Sequence, residues 1–229
     1  MKTIGLLGGM SWESTVGYYQ AINKGIKESL GGLHSAKIAM YSVDFDPIEK
    51  LQHSGDWEGT AKILIDGAKN IQAAGADVLL ICTNTMHKVA PQIEKAIDIP
   101  LLHIADATAE VLVEKGIKTV GLLGTAFTME EDFYKGRLTE DHGLTVLTPK
   151  EADRKIVHNV IYKELCLGDS LPTSKAEYLR IIESLADQGA EAVILGCTEI
   201  GMLVDQRDTE IILLDTTYIH AKKAVEWAI

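Results

Sequence analysis

Basic residues are scarce in this 229-residue chain: 22 Lys and Arg stand against 33 Asp and Glu, for a formal net charge of −11. Such a surface repels phosphate backbones and anionic headgroups, which argues against nucleic acid or a membrane as partner. It draws no anionic ligand in from a distance either, so a substrate carboxylate has to be held by local donors. Cysteine is also scarce. Cys82, Cys166 and Cys197 are odd in number, too few for a disulfide framework, and without metal-ligand spacing, so no metal is expected. Free thiols in a reducing, cytoplasmic setting are the expectation. No apolar run approaches the roughly 20 residues of a membrane helix. Low-complexity tracts, polyproline linkers and long charge blocks are missing as well. The apolar run after Met1-Lys2-Thr3 stops at Ser11-Trp12-Glu13 and reads as a buried strand rather than a secretion leader.

What is present is a duplication. Gly75-Ala76-Asp77-Val78-Leu79-Leu80-Ile81-Cys82-Thr83 returns as Gly189-Ala190-Glu191-Ala192-Val193-Ile194-Leu195-Gly196-Cys197, an offset of 114 (189 − 75) that sets Thr83 against Cys197. Lys2-Thr3-Ile4-Gly5-Leu6-Leu7-Gly8 returns as Lys118-Thr119-Val120-Gly121-Leu122-Leu123-Gly124, with one conservative change, at an offset of 116 (118 − 2). A third match, Leu101-Leu102-His103 with Leu213-Leu214-Asp215, has an offset of 112 (214 − 102). Two like lobes facing each other would hold Thr83 and Cys197 on opposite sides of one cleft.

Short apolar runs alternate with longer amphipathic segments, the pattern of parallel sheets covered by helices. Strands are expected at 3–7, 37–43, 78–81, 101–103, 119–123, 145–147, 192–195 and 211–214, four to each lobe. Helices are expected at 14–30, 59–74, 87–97, 108–115, 129–140, 153–165 and 174–188, with a last one at 217–228 that crosses back to the first lobe. The fold class is α/β, with two pseudo-symmetric lobes, each a four-stranded parallel sheet flanked by helices. The first lobe takes 1–104 plus 216–229, and the second 105–215. Each repeated loop follows the C-terminal end of a strand, where open α/β sheets bind ligands.

Cys197 ends an apolar strand and opens a Cys197-Thr198-Glu199 turn before a helical segment, a position expected to lower its thiol pKa and favour the thiolate. A buried structural cysteine is the plainer alternative, and its place at the duplicated strand end favours function. Thr83-Asn84-Thr85 alone would be a capping turn, but its register with Cys197 makes Thr83 the opposing candidate. Cys82, one place earlier, points to the other face. Gly8 to Thr15 is a glycine-rich turn whose N–H groups are able to receive an anion. It has neither a dinucleotide fingerprint nor the lysine of a P-loop, and Gly124 to Thr128 copies it with hydroxyls. His87 and Glu199 are placed to tune the thiol or orient a substrate, or to serve only as first-turn helix residues. Arg154 and Lys155 are candidates for a side-chain carboxylate, against a solvated surface pair.

These loops resemble the aspartate/glutamate racemase family in order and spacing over nearly the whole chain. The resemblance implies two α/β lobes, a homodimer, a small amino-acid substrate, no cofactor and in particular no pyridoxal phosphate, and α-proton exchange between two cysteines. Carried over by position, Cys197 is the second catalytic cysteine and Thr83 occupies the place of the first. Asn84, Thr85, Thr125, Thr198 and Glu199 match substrate-binding positions, and Met10 and Ser11 match the N-terminal part of that site. Threonine at the first position is a feature of the L-aspartate/glutamate-specific or broad-specificity subgroup. Asp46-Pro47 stands where some aspartate racemases carry an arginine for the substrate carboxylate.

A thiolate accepts an α-proton because a thiol pKa can be brought near neutrality, whereas a threonine hydroxyl is no comparable base. The expectation is therefore a lopsided reaction, with Cys197 removing the proton and Thr83 or a water returning one on the other face. Two rivals stand beside it. One is a cleft-cysteine enzyme of the maleate isomerase or arylmalonate decarboxylase type. The other is an amino-acid-binding protein that lost catalysis with its first cysteine.

Overall fold

A computed structural model describes residues 1–229. It divides into two compact units, Met1–Ile104 with His220–Ile229, and Ala105–Ile219. The second division point falls inside the last helix rather than ahead of it.

The first unit runs β1 (Thr3–Gly8), α1 (Trp12–Leu30), β2 (Lys37–Ser42), α2 (Phe45–Ser54), α3 (Trp57–Ala73), β3 (Val78–Ile81), a 3-10 turn at Thr85–Val89, α4 (Ala90–Glu94) and β4 (Leu101–Leu102). Its strands form one parallel sheet in the order β2-β1-β3-β4. The second continues with α5 (Ile104–Glu114), whose first residue belongs to the first unit, then β5 (Thr119–Gly124), α6 (Ala126–Glu130), α7 (Asp132–Gly136), β6 (Thr145–Leu147), α8 (Glu151–Lys163), α9 (Pro172–Asp187), β7 (Ala192–Gly196), β8 (Ile212–Asp215) and the first turn of α10 (Thr216–Ala228), which returns to the first unit from His220 on. Its sheet order is β6-β5-β7-β8, again all parallel. The fold is thus α/β, two four-stranded parallel sheets of the same order.

The sequence repeat is a repeat of hydrogen-bond register. Ile4 pairs with Val78, and its copy Val120 pairs with Ala192, the copy of Val78. Leu79 pairs with Leu101, and Val193 with Leu213. Even the strand starts are clamped alike. The Asp77 carboxylate accepts from Thr3 N at 2.7 Å, and Glu191 accepts from Lys118 N and Thr119 N at 2.9 and 2.8 Å. Thr83 and Cys197 therefore leave their sheets at equivalent positions.

Local chemistry sets the elements. Ser11 caps α1, accepting from Ser14 N, and Tyr18, Ile22 and Ile26 at four-residue spacing form its buried stripe. Gly75 and Gly189 end the preceding helices with φ of 86° and 102°, a backbone that favours glycine. One core of the first unit, built on Leu7, Leu64, Leu79 and Ile81, lies under α3. The other joins Ile4, Leu6, Tyr18 and Cys82 to Ala221, Ala224 and Val225 of α10. The second unit packs Val157, Ile161, Ile181, Leu185 and Val193 together.

Three segments differ from the sequence expectation. Phe45–Ser54 is a helix that the periodicity does not announce, because one of its buried positions is Gln52, whose Nε2 lies 2.8 Å from the Met86 sulfur. The helix expected at 87–97 is a 3-10 turn followed by the short α4, since Pro91 carries no N–H to continue an α ladder through this stretch. The helix expected at 129–140 breaks at Glu131, extended at ψ 156°, into α6 and α7, followed by a π turn at Arg137–Asp141.

His220, on α10, fixes its own tautomer. The Leu102 carbonyl, 2.9 Å from Nε2, can only accept, so Nδ1 accepts from the Tyr18 hydroxyl at 2.9 Å. Burial, followed by the proximity of His87, pushes the ring pKa down from 6.5 to about 3, against the Leu102 carbonyl, which raises it. The unfolded chain therefore binds a proton below about pH 6.5 that the folded chain refuses. This contribution to stability is complete above that pH and is lost as pH falls toward 3, at about 1.4 kcal/mol per pH unit. Thermal unfolding followed from about pH 7 to pH 5 should show a falling Tm, and His220→Gln should flatten the dependence.

Candidate active site

Strand β7 ends in Gly196, where a Cβ would lie 2.7 Å from the Leu123 carbonyl oxygen and 2.8 Å from Leu122 Cδ1. Only glycine lets the strand end run this close to β5. The chain then turns through Cys197, Thr198 and Glu199, with Ile200 N donating to the Cys197 carbonyl at 3.0 Å. Cys197 Sγ donates to Glu199 Oε2 at 2.9 Å, and Thr198 Oγ1 donates to the same oxygen at 3.0 Å. Cys197 is 8% exposed and Glu199 2%.

This geometry corrects the expected thiol. Burial and then the Glu199 charge push the Cys197 pKa well above its ordinary value, the backbone N–H of Glu199 pulling weakly the other way. The segment after it is a three-residue 3-10 turn, Ile200–Met202, with too few aligned peptides for an appreciable dipole. At rest Cys197 is a thiol held on a carboxyl oxygen.

The equivalent turn in the first unit is built differently. Cys82 packs into the core beside Ile4, Leu6 and Tyr18, on the opposite side from Thr83, and burial pushes its thiol pKa far up. Thr83, Asn84 and Thr85 are all buried. The repeat places Asn84 against Thr198 and Thr85 against Glu199, so this turn has no carboxylate. Instead His87 Nδ1 lies 2.8 Å from the Thr83 carbonyl, and Ile104 N donates to His87 Nε2 at 3.3 Å.

The glycine turn is less open than its composition suggests. Gly9 N donates to Thr15 Oγ1 at 2.9 Å, and that hydroxyl donates to the Ser11 carbonyl at 2.7 Å. The expected anion-receiving N–H at Gly9 is thus used within the turn. Met10 is buried in the core with Leu7 and Ile48, and Ser11 serves as the cap of α1. Thr125 repeats the capping role on α6, accepting from Thr128 N at 3.3 Å. Next to it Ala126 N donates to His158 Nδ1 at 3.1 Å, and the His158 ring lies between Phe127 and Tyr162. His158 escaped the sequence reading, although it sits one turn after Arg154 on the helix already singled out.

The two basic candidates are engaged elsewhere. Lys155, with its side chain 69% exposed, pairs with Glu151 at 2.6 Å, and Arg154 reaches Glu130 Oε1 and the Pro149 carbonyl, both at 2.8 Å. Lys155, the candidate for a substrate carboxylate, thus stands in an exposed pair with Glu151. The structure brings together Cys197, Thr198 and Glu199 in one unit, and Thr83 with His87 in the other.

Comparison with known proteins places the chain. The family model described as Asp/Glu/Hydantoin racemase matches residues 7–224. A candidate Asp/Glu racemase from Yersinia pestis, solved by crystallography, is 54% identical and superposes over 100% of this chain and 99% of its own, with a TM-score of 0.91. An aspartate racemase homologue from Pyrococcus horikoshii is 34% identical over 100% and 99%, with a TM-score of 0.83. The broad-specificity amino-acid racemase RacX of Bacillus subtilis is 25% identical over 74% of this chain and 73% of its own length. The chain belongs to the Asp/Glu/hydantoin racemase family.

Proposed function

We propose that the protein is an amino-acid racemase that exchanges the α-proton of aspartate or glutamate without pyridoxal phosphate, with Cys197 and Thr83 facing the two sides of the substrate carbon. The observation that carries this reading is the Cys197 thiol at the end of β7, held on Glu199 and in equivalent register to Thr83.

A buried thiol with a raised pKa is a poor base until it gives up its proton, and Glu199 Oε2 is the acceptor in contact with it. The proton passes from Sγ to the carboxylate, and the thiolate takes the α-proton of the substrate. The resulting enediolate-like charge is met by neighbouring donors and by the substrate's own ammonium group. Thr83, or a water resupplying it, delivers a proton to the other face. The proton on Glu199 then leaves to solvent, so the net change is one α-hydrogen exchanged and one centre inverted. Thr83 has no carboxylate partner, since Thr85 stands where Glu199 stands in the copy, and the forward and reverse reactions draw on unequal bases.

Initial α-hydrogen exchange in heavy water, measured separately on the L and D forms of aspartate and glutamate, should be fast from one enantiomer and slow from the other. Equal rates would remove the one-base model. Cys197→Ser should lower exchange by about 10²-fold or more, and Thr83→Cys should raise the slower direction. Glu199→Gln removes a negative charge from beside the thiol, so the pH of half-maximal alkylation at Cys197, read by mass spectrometry of that peptide, should move down. A homodimer is the assembly this reading takes from the family, and native mass in solution checks it.

A further inference from the structure

The duplication supplies an internal control for His87. By the same offset that relates Thr83 to Cys197, the counterpart of His87 in the second unit is Gly201. That glycine sits tight against its own surroundings: a Cβ there would meet Asp215 Oδ2 at 2.6 Å. Asp215 is in turn the counterpart of His103, whose ring lies 4.4 Å from that of His87. The two units thus leave equivalent strands through a 3-10 turn, once with a buried imidazole at this position and once with no side chain at all. The fold does not demand the ring.

What the ring does is defined by its two nitrogens. The Thr83 carbonyl cannot donate, so Nδ1 carries the proton and gives it to Thr83 O at 2.8 Å; Nε2 then accepts from Ile104 N at 3.3 Å. Both bonds require the neutral ring in a single tautomer. A proton on Nε2 would confront the Ile104 N–H, so this histidine is placed to hold backbone and not to shuttle protons. His103 and His220 flank it with ring centroids 4.4 and 6.0 Å away, and these rings form no metal-binding set.

We infer that His87 is a positioning residue that ties the Thr83 carbonyl to the start of α5 and thereby fixes where the Thr83 hydroxyl stands. The inference rests on the racemase reading above and refines it: the face of the substrate opposite Cys197 is served by a weak donor whose usefulness depends on placement. Cys197 needs no such clamp, because its own carboxylate partner already holds the thiol.

The test separates exchange from inversion. When aspartate or glutamate is incubated in heavy water, deuteration with retained configuration reports proton removal and return on the Cys197 face. Deuterated product of the opposite configuration reports delivery from the Thr83 face. His87→Ala should lower the ratio of inverted to retained deuterated product by about tenfold, the loss of one buried hydrogen bond, while total exchange stays within about twofold. His87→Asn, whose amide nitrogen falls near the Nδ1 position, should recover much of the ratio. Equal loss of exchange and inversion, or an unchanged ratio, would overturn the inference. A wild-type protein that exchanges no α-hydrogen would sink the racemase reading instead. Even then the clamp is measurable: backbone hydrogen exchange over residues 83–87 should quicken in His87→Ala and be restored in His87→Asn, and a failure of that pattern removes the clamp as well.

Discussion

Everything chemical in this protein depends on how two pairs of adjacent parallel strands end. β1 with β3, and β5 with β7, are buried on both faces, and a one-residue slip in either pairing would turn a strand-end side chain from one face of its sheet to the other. The register is held from below by Asp77 and Glu191 on the starts of β1 and β5. From above it is held by glycine: Gly196 against the Leu123 carbonyl, and Gly124 against the Gly196 carbonyl and Thr128. Carboxylate at one end and bare backbone at the other leave the strands a single alignment. In that alignment Thr83 and Cys197 leave their sheets at matching points.

On this symmetric frame the chemistry is unsymmetric, and it becomes so within three residues. Cys197, Thr198 and Glu199 form a closed set in which two side-chain donors share one carboxyl oxygen. Thr83, Asn84 and Thr85 contain no acid or base of comparable strength, and their turn is held through its backbone by an imidazole further along. One turn closes on a carboxyl among its own side chains, and the other is held by an imidazole on its backbone.

Much of this was legible in the sequence, and the reason is physical. Strands buried on both faces must be continuous apolar runs, so β1, β3, β5 and β7 stand out in the sequence, and their duplication aligns Thr83 with Cys197. Hydrogen-bond closure was not legible. Nothing in the letters Gly8-Gly9-Met10-Ser11 says that Thr15 will take the Gly9 N–H. Nothing in Cys-Thr-Glu says that the carboxyl will fold back onto the sulfur rather than outward, or how deeply the thiol will be buried, and burial first and that carboxyl second reverse the expected direction of the thiol pKa. The Glu151 partner of Lys155 is a further closure of this kind, set by which way one helix face points. Phe45–Ser54 was missed because a buried glutamine interrupts its apolar stripe.

The last helix carries a consequence for how the chain comes into being. The second unit is one unbroken stretch, Ala105–Ile219, whereas the first is split and needs His220–Ile229 to cover Ile4, Leu6 and Tyr18. At ribosomal speeds of about 5–20 residues per second, the N-terminal sheet waits on the order of ten seconds for that cover. During the wait its apolar face stays uncovered while the second unit is being made, since that unit ends at Ile219, directly ahead of the covering segment. The half whose strands come first is therefore the half closed last, when His220–Ile229 reaches Ile4, Leu6 and Tyr18.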